Sequence, residues 1–289
     1  MLQRGAPLKV LISGARRSRA RALRRVLTPL GAEVRIDGFR SHTMLEADVV
    51  LPFSGEETCY LNTIYPEYAG VKYLLPDLAA FALCEDKGAL YARLARAGFG
   101  AHLAAPVPGQ AVVRKPRIGT AGVAASVLPY ETMSDSPAWV WQRRLSDAHE
   151  YAGHFLIDGA GRMVLARACR YTRHENQMRH DLRDGAGALV DIPPDHRALF
   201  AAMLAEIGLR GFCCFDYFVT PEDGVQVLEI NGRVGGSMVR MPEVMGPAYC
   251  RAVAPELTAH WPEPVWPQVV RHKRGLAGRL PSLRRPRFA

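Results

Sequence analysis

The sequence predicts an α/β protein built from more than one lobe, and two patterns indicate it. The first is an alternation of short apolar runs with an amphipathic helix at the start of the chain, which favours a parallel sheet covered by helices. The second is a pair of β-hairpins in the second half of the chain, where alternating segments flank Gly-containing turns. A chain of 289 residues is long enough for this combination, because domains contain roughly 100–200 residues.

The N-terminal unit is predicted as strand, turn, helix, strand and strand. The apolar run 8–13 is a strand, and 14–31 is a turn followed by a helix whose leucines and valine recur on one face. Residues 32–39 and 47–53 are the next two strands. The loop after the first strand contains one glycine and lacks the pattern GxGxxG, so the sequence does not predict a Rossmann dinucleotide site.

The middle of the chain is predicted to hold a helix and two strands. The helix covers 84–97, with Asp86 as its N-cap and Gly98 at its end. Residues 110–124 form a strand that continues into a Gly-rich loop, and 139–145 form another short strand. These elements precede the two hairpins.

Two hairpins flank a helix in the second half of the chain. Residues 150–170 alternate around a DG turn, as a hairpin does. A helix over 193–211 starts with prolines and ends at glycine. Residues 211–233 form the second hairpin, whose turn is TPEDG.

Composition excludes several classes of protein. The apolar fraction is 48% and the charged fraction 22%, which is typical of globular proteins and not of disordered ones. No stretch approaches the roughly 18–20 apolar residues of a membrane helix, and the N-terminus is too quickly charged for a secretory signal. The six cysteines form no CxxC pair, so we expect buried thiols and a cytoplasmic location rather than zinc or disulfides.

The net charge of +9 comes mostly from the C-terminal tail. Residues 271–289 hold seven Lys and Arg and no acid, which leaves +2 for the rest of the chain. Such a tail can bind nucleic acid or an anionic surface. A solvated terminus is the simpler interpretation, so a nucleic-acid partner is not expected.

The second hairpin carries a predicted metal site. Asp216 and Glu229 lie at equal distances from the centre of the turn, so they should face each other on paired strands. Asn231 shares the face of Glu229. Opposed carboxylates are unfavourable without a cation, and an all-oxygen ligand set suits Mg²⁺, with Mn²⁺ as the alternative ion. A surface hairpin with incidental acids is the competing interpretation, but the apolar flanking segments indicate burial.

Two lysines upstream are candidates to bind phosphate. Lys115 ends an apolar strand before a loop that contains Gly119 and Gly122, where backbone N–H groups and an ammonium can hold a polyphosphate. The loop is not GxxxxGK[ST], so it is not a P-loop. Lys87 stands at the start of a helix, where a cation is unfavourable, so its ammonium could serve a ligand phosphate; a solvated lysine is the alternative.

With these motifs assembled, the chain resembles the ATP-grasp superfamily over roughly residues 84–240. The resemblance is greatest to the ligases related to carbamoyl-phosphate synthetase large subunits and to D-alanine–D-alanine ligase. It rests on four motifs in order: Asp86-Lys87, Lys115-Pro116 to Gly122, a strand 141–144 leading to Glu150-Tyr151, and the D…ExNxR pattern of Asp216, Glu229, Asn231 and Arg233.

The resemblance implies a fold and a set of residue roles. It implies a short parallel α/β pre-ATP domain over 1–83, ATP-grasp lobes over 84–145 and 146–250 that clamp ATP between sheets, and a C-terminal extension over 251–289. The implied nucleotide contacts are Lys87, Lys115, the loop with Gly119, Thr120, Ala121 and Gly122, the hinge backbone at Gln142, Arg143, Arg144 and Leu145, and Glu150. The implied metal ligands are Asp216, Glu229 and Asn231, and Arg233 would stabilise the transferring phosphoryl group.

Some positions depart from the family pattern. The hinge reads QRR where the family commonly offers an acid to the ribose, and the last motif is ExNGR rather than ExNPR. The segment 171–187 has no counterpart. It stands where relatives place substrate-facing loops, so Arg170, Arg173, His174 and Arg179 are candidates to hold an anionic substrate or an acyl phosphate. Arg170 joins Arg233 and Lys115 as a candidate catalytic residue, and residues 235–238 would line the acceptor end.

The function that the resemblance implies is ATP-dependent ligation of a carboxylate to an amine through an acyl phosphate. Its partners would be small-molecule substrates and no membrane; related ligases are often dimers, and the sequence does not decide the oligomeric state. Two alternatives remain open. One keeps the site but uses bicarbonate, or phosphorylates a small molecule without ligation. The other is a non-catalytic protein that binds ATP or nucleic acid.

Overall fold

The structure is a computed structural model that describes residues 7–64, 70–119, 125–145, 149–171 and 187–263. Within these ranges the chain forms a parallel sheet near the N-terminus, a small antiparallel sheet in the middle and a larger antiparallel sheet in the second half. This is the α/β architecture that the sequence predicts.

The N-terminal sheet has the strand order β2-β1-β3 and is parallel throughout. Its strands are β1 (Lys9–Ser13), β2 (Glu33–Asp37) and β3 (Val49–Leu51). Helix α1 (Arg17–Leu27) connects β1 to β2 and buries Ala20, Leu23 and Leu27, while all its arginines except the half-buried Arg19 are exposed. Gly31 follows with a φ of 94°, a left-handed conformation that favours glycine. Two short helices that the sequence analysis did not predict complete this part, α2 (Ser41–Leu45) and α3 (Gly55–Ile64).

The middle of the chain contains two helices where one was predicted. Helix α4 (Leu78–Glu85) and helix α5 (Lys87–Leu94) are separated by Asp86, whose ψ of 93° is extended. The Asp86 carboxylate accepts a hydrogen bond from the Ala89 N–H at 3.0 Å and so caps α5. The small antiparallel sheet has the order β5-β4-β6 and consists of β4 (Val112–Pro116), β5 (Ser126–Leu128) and β6 (Trp139–Arg143).

The large sheet has the order β11-β10-β7-β8-β9. Its strands are β7 (His149–Ile157), β8 (Met163–Tyr171), β9 (Gly187–Val190), β10 (Gly211–Thr220) and β11 (Gly224–Asn231). Helix α6 (Pro194–Ile207) covers one face, where Phe200 packs against Phe155 and Phe215. Both predicted hairpins are present, and Gly208 ends α6 with a φ of 69°.

The C-terminal helices pack against the N-terminal sheet. Helix α7 (Pro242–Val253) shares a hydrophobic core with α1, β1 and β3, and the short helix α8 (Pro255–Thr258) follows it. The hydroxyl of the buried Tyr249 donates to the Val50 carbonyl at 2.9 Å and accepts from the Leu74 N–H at 3.0 Å. The two ends of the described chain are thus joined by one core.

None of the helices in the described part of the chain is long and apolar enough to cross a membrane. All six cysteines lie in the described ranges as free thiols; Cys59 is partly exposed and the others are buried.

Candidate nucleotide and metal site

Strands β10 and β11 bring two carboxylates together. Asp216 pairs directly with Glu229 in the antiparallel register, as the position of the turn predicted. The register shifts just after this pair, between Asp216 and Tyr217. Asn231 lies two residues beyond Glu229 on the same face and is 5% exposed. The side chains therefore converge where apolar flanking segments exclude much of the surrounding water.

The environment of Glu229 is unfavourable for a lone negative charge. Its side chain is 13% exposed. Burial and the neighbouring charge of Asp216 raise the pKa of Glu229, while Lys87, Lys115 and a hydrogen bond with Asn231 oppose the rise. A carboxylate such as Glu229, whose ionisation is resisted in this way, is one that a cation would stabilise.

Two lysines from other elements face these carboxylates. Lys87, at the start of α5, is 5% exposed, and its ammonium donates to the Gly119 carbonyl and lies 3.9 Å from Glu229 Oε2. Lys115 on β4 keeps partial exposure, yet the loss of water around its ammonium lowers its pKa, an effect that the charges of Glu229, Asp216 and Glu150 oppose. The site thus places ammonium groups beside carboxylates, which suits a bound metal–phosphate complex.

The predicted hinge lies at the end of β6. Gln142 is buried, and its Nε2 donates to the Tyr91 hydroxyl and to the Leu228 carbonyl, the latter at 2.7 Å. The N–H groups of Arg143 and Arg144 donate to the carbonyls of Ala104 and Ala111 at 2.8 and 2.9 Å. These two donors are therefore used within the protein, and the side chain of Gln142 joins the hinge to the strand that carries Glu229.

Glu150 and Arg233 lie near the carboxylate pair. Glu150 on β7 is buried, and the strand register places it on the same sheet face as Asp216. The guanidinium of Arg233 donates to Asn231 Oδ1 at 3.1 Å and to the Val234 carbonyl. Arg233 is thus tied to a predicted metal ligand.

Arg170 does not join this group. Asp216 pairs with Ala152, and Ala152 pairs with Cys169, so Cys169 shares the face of Asp216. Arg170 is the next residue along β8 and lies on the opposite face. Its predicted role in holding an anionic substrate or an acyl phosphate stays a prediction, and this register places it away from the face of Asp216.

Several predicted residues lie outside the described residues: Thr120, Ala121 and Gly122 of the loop, and Arg173, His174 and Arg179 of the segment 171–187. Gly119 is the last described residue before 120–124, and Leu145 is the last described residue before 146–148. Gly119 has a φ of 129°, a conformation that side chains rarely adopt.

The segment 235–238 has support that the sequence analysis missed. Ser237 lies 2.7 Å from Nε2 of the buried His154. A Cβ on Gly235 would lie 2.5 Å from the His154 ring and 2.7 Å from Cys214 Sγ, so only glycine fits there. The pair of glycines in the sequence was a signal of this close approach, but the partner on β7 is distant in sequence.

The donor set fits magnesium better than a transition metal. The described residues contain no cluster of three or more His, Cys, Asp and Glu side chains that could hold a metal. The proposed site has only two such side chains, and its third candidate ligand is the amide oxygen of Asn231. Two carboxylates and one amide form the hard oxygen environment that Mg²⁺ prefers.

No protein-family model matches the sequence, and no curated protein matches it. Solved structures do match. The D-alanine–D-alanine ligase of Bacillus anthracis, in complex with ATP, is 11% identical with a TM-score of 0.57, over 88% of this chain and 98% of the ligase. The N5-carboxyaminoimidazole synthetase of Staphylococcus aureus, in complex with ADP, is 13% identical with a TM-score of 0.61, over 85% of this chain and 77% of the synthetase. The ATP-grasp ligase PsnB, in complex with a minimal precursor, is 13% identical with a TM-score of 0.56, over 82% of this chain and 94% of PsnB. The chain therefore has the α/β ATP-grasp fold, as the resemblance of its motifs predicted.

Proposed function

We propose that this protein is an ATP-dependent ligase that joins a small-molecule carboxylate to an amine and releases ADP and phosphate. The observation that carries the proposal is the pairing of Asp216 with Glu229 beside Asn231, with the ammonium of Lys87 3.9 Å from Glu229. Two half-buried acids that face each other repel, and a metal–polyphosphate complex would satisfy both these acids and the lysines beside them.

The roles of the side chains follow from their charges and positions. Asp216, Glu229 and Asn231 would hold Mg²⁺, or Mn²⁺, through oxygen atoms. When bound, this ion neutralises phosphate oxygens and withdraws electron density from the phosphorus that is attacked. Lys87 and Lys115 would neutralise the phosphates.

The hinge would hold the base. The N–H of Leu145 forms no hydrogen bond with a described residue, unlike those of Arg143 and Arg144. We assign to Leu145 the backbone contact with the adenine, and to the buried Glu150 a contact with the ribose or base. The QRR sequence of the hinge offers no acid to the ribose. Among the described residues, Glu150 is the acid that lies nearest to the hinge in the sequence.

The reaction needs two displacements. A carboxylate oxygen of the substrate attacks the γ-phosphorus, the bond to the β–γ bridging oxygen breaks, and ADP leaves with that electron pair. The amine then attacks the acyl carbon, the bond from this carbon to the phosphate oxygen breaks, and phosphate leaves while the amine loses a proton. Arg233 would stabilise the charge of the transferring phosphoryl group, and the protein contributes mainly position and charge.

The experiment that tests this proposal measures ADP and phosphate release from Mg-ATP. Amino acids, other small carboxylates and bicarbonate are supplied singly and with amines to the wild type, Glu229→Ala and Glu222→Ala. Glu222 is a matched control because it is an exposed acid in the turn of the same hairpin.

Release that requires both a carboxylate and an amine, is lost in Glu229→Ala and persists in Glu222→Ala, supports the ligase. Release with bicarbonate, or with one substrate and no amine, supports the alternative that uses the same site without ligation. Absence of Mg-ATP binding by the wild type contradicts both and leaves the nucleic-acid alternative suggested by the basic tail.

A further inference from the structure

His154 is a buried titratable residue that the proposed reaction leaves unused. It lies on β7 and is fully buried. Its Nε2 is 2.7 Å from the Ser237 hydroxyl oxygen, so the two side chains share a hydrogen bond. In the neutral tautomer that carries its proton on Nδ1, the imidazole accepts the hydroxyl proton at Nε2. The pair therefore forms a base that acts through a hydroxyl group.

The strand register places this pair on the sheet face of the candidate metal ligands. Cys214 pairs with Asn231 on one neighbouring strand and with His154 on the other, so the three side chains share one face. Neighbouring strands lie about 4.8 Å apart, so the backbones of Asn231 and His154 are separated by roughly 10 Å. A small substrate that is held at the metal site can therefore reach the hydroxyl of Ser237.

The segment that carries Ser237 is held against His154. A Cβ on Gly235 would lie 2.5 Å from the His154 ring, so glycine is needed for this close approach. Met238, the next residue after Ser237, is buried in the core that α1 and α7 share. Gly236 is exposed and Ser237 is 7% exposed, whereas His154 has no exposed surface. A substrate therefore reaches the hydroxyl and not the imidazole.

The other titratable groups near His154 are less suited to take up a proton. The groups that neighbouring elements bring toward it are Cys214 and Asp216 on β10, Arg167 on β8, and Arg19 of α1 beside Gly236. The arginines are already protonated, and the charge of Arg167 is offset by an ion pair with Asp191. Asp216 belongs to the proposed metal site, and an ordinary thiol keeps its own proton at neutral pH. Histidine is the side chain that takes up a proton near neutral pH.

We propose that Ser237 and His154 together accept the proton that the amine loses during ligation. As the nitrogen attacks the acyl carbon, one N–H bond breaks and its electron pair stays on the nitrogen. That proton passes to Ser237 Oγ while the hydroxyl proton passes to His154 Nε2, and phosphate leaves with the electron pair of its bond to the acyl carbon. The imidazolium returns the proton to water before the next turnover. This inference rests on the proposed function, because only ligation to an amine releases this proton.

The test separates the two steps of the proposed reaction in the full-length protein. Mg-ATP and the amino acids are supplied either with hydroxylamine, which is unprotonated at neutral pH and captures acyl phosphates without a base, or with a second amino acid as the amine. Hydroxamate and amide are measured by mass spectrometry across pH. The variants are His154→Gln, whose amide cannot take up a proton, and Ser237→Ala. His196→Gln is the matched control, because His196 lies on α6, which covers the other face of the sheet.

The inference expects the two products to respond differently. General base catalysis contributes about a hundredfold to ten-thousandfold, so His154→Gln and Ser237→Ala should form amide at least about a hundredfold more slowly, and hydroxamate within about threefold of the wild-type rate. In the wild type and in His196→Gln, amide formation should slow as the pH falls, because a protonated imidazole accepts no proton; His154→Gln should lose this dependence. Amide formation near the wild-type rate in either variant overturns the inference and leaves the ligase standing. Equal loss of hydroxamate and amide also overturns it, because a structural role would impair both steps. If the wild type forms neither product, or hydroxamate alone, the proposed ligation itself is wrong.

Discussion

Replacement of Tyr249 by Phe should destabilise the protein through two hydrogen bonds that join its ends. Tyr249 is fully buried, and its hydroxyl bonds the Val50 carbonyl and the Leu74 N–H at 2.9 and 3.0 Å. The ring remains in the Phe variant and still stacks on Phe212, whose centroid is 5.2 Å away. The change therefore isolates the hydroxyl from the apolar packing.

The magnitude follows from what the substitution leaves behind. Loss of the bond to the Val50 carbonyl should cost about 1 kcal/mol, and a buried Leu74 N–H without its acceptor about 1–3 kcal/mol. We expect the free energy of unfolding to fall by about 2–4 kcal/mol. Since each kcal/mol lowers the Tm of a protein of this size by roughly 2–3 °C, the Tm should fall by roughly 4–12 °C.

Urea denaturation followed by circular dichroism measures this change. Tyr60→Phe is the control, because Tyr60 is 41% exposed and its hydroxyl has no hydrogen-bond partner among the described residues. Tyr60→Phe should change the free energy of unfolding by less than about 0.5 kcal/mol. A loss below about 1 kcal/mol in Tyr249→Phe would refute the inference that this hydroxyl joins α7 to the N-terminal sheet.

Three further predictions concern the site. Glu229→Gln should abolish ADP release yet raise the Tm of the metal-free protein at neutral pH, measured in EDTA. The pKa of Glu229 is higher in the folded than in the unfolded state, so the folded protein loses stability as pH rises from the unfolded to the folded pKa, and a neutral side chain avoids this loss. A lower Tm in Glu229→Gln would contradict this. Burial lowers the pKa of Lys115, so ATP affinity should begin to decline at a lower pH than it would with an ordinary lysine. In Lys115→Arg, titrations across pH should show this decline at a higher pH. Identical pH profiles in the two proteins would exclude Lys115 as the group that causes the decline. Arg170→Ala should leave Mg-ATP affinity within about twofold of wild type in the same titration, because Arg170 lies on the other sheet face; a tenfold loss would show that the register argument is incomplete.

The sequence predicted contacts well where a turn fixes them. The pairing of Asp216 with Glu229 depends on a hairpin whose short turn sets the register of both strands. The capping role of Asp86 was also predictable, because the cap acts within one helical turn. Helix α4, which ends just before this cap, was not predicted.

Arg170 shows where this reasoning ends. Its position within the hairpin of β7 and β8 is local, but its relation to Asp216 depends on the pairing of β7 with β10. These strands are connected through β8, β9 and α6, so no turn sets their register. A shift of one residue moves a side chain to the opposite face, and the sequence contains no signal that distinguishes the two outcomes. For the same reason, the sequence did not predict the contact between Ser237 and His154.

The proposed nucleotide site combines both kinds of contact. Its acids come from one hairpin, whereas Lys87 comes from a helix and Lys115 from a strand of another sheet. Hydrogen bonds from Gln142 and Tyr91 to the carbonyls of Leu228 and Val227 tie that sheet and α5 to the strand of Glu229. These hydrogen bonds end on backbone carbonyls, so they join the small sheet and α5 to β11 without using the acids or the lysines. On the proposed function, a ligand that carries both a cation and phosphates would contact the acids of the hairpin and the two lysines together, so its binding should strengthen the contact between these elements.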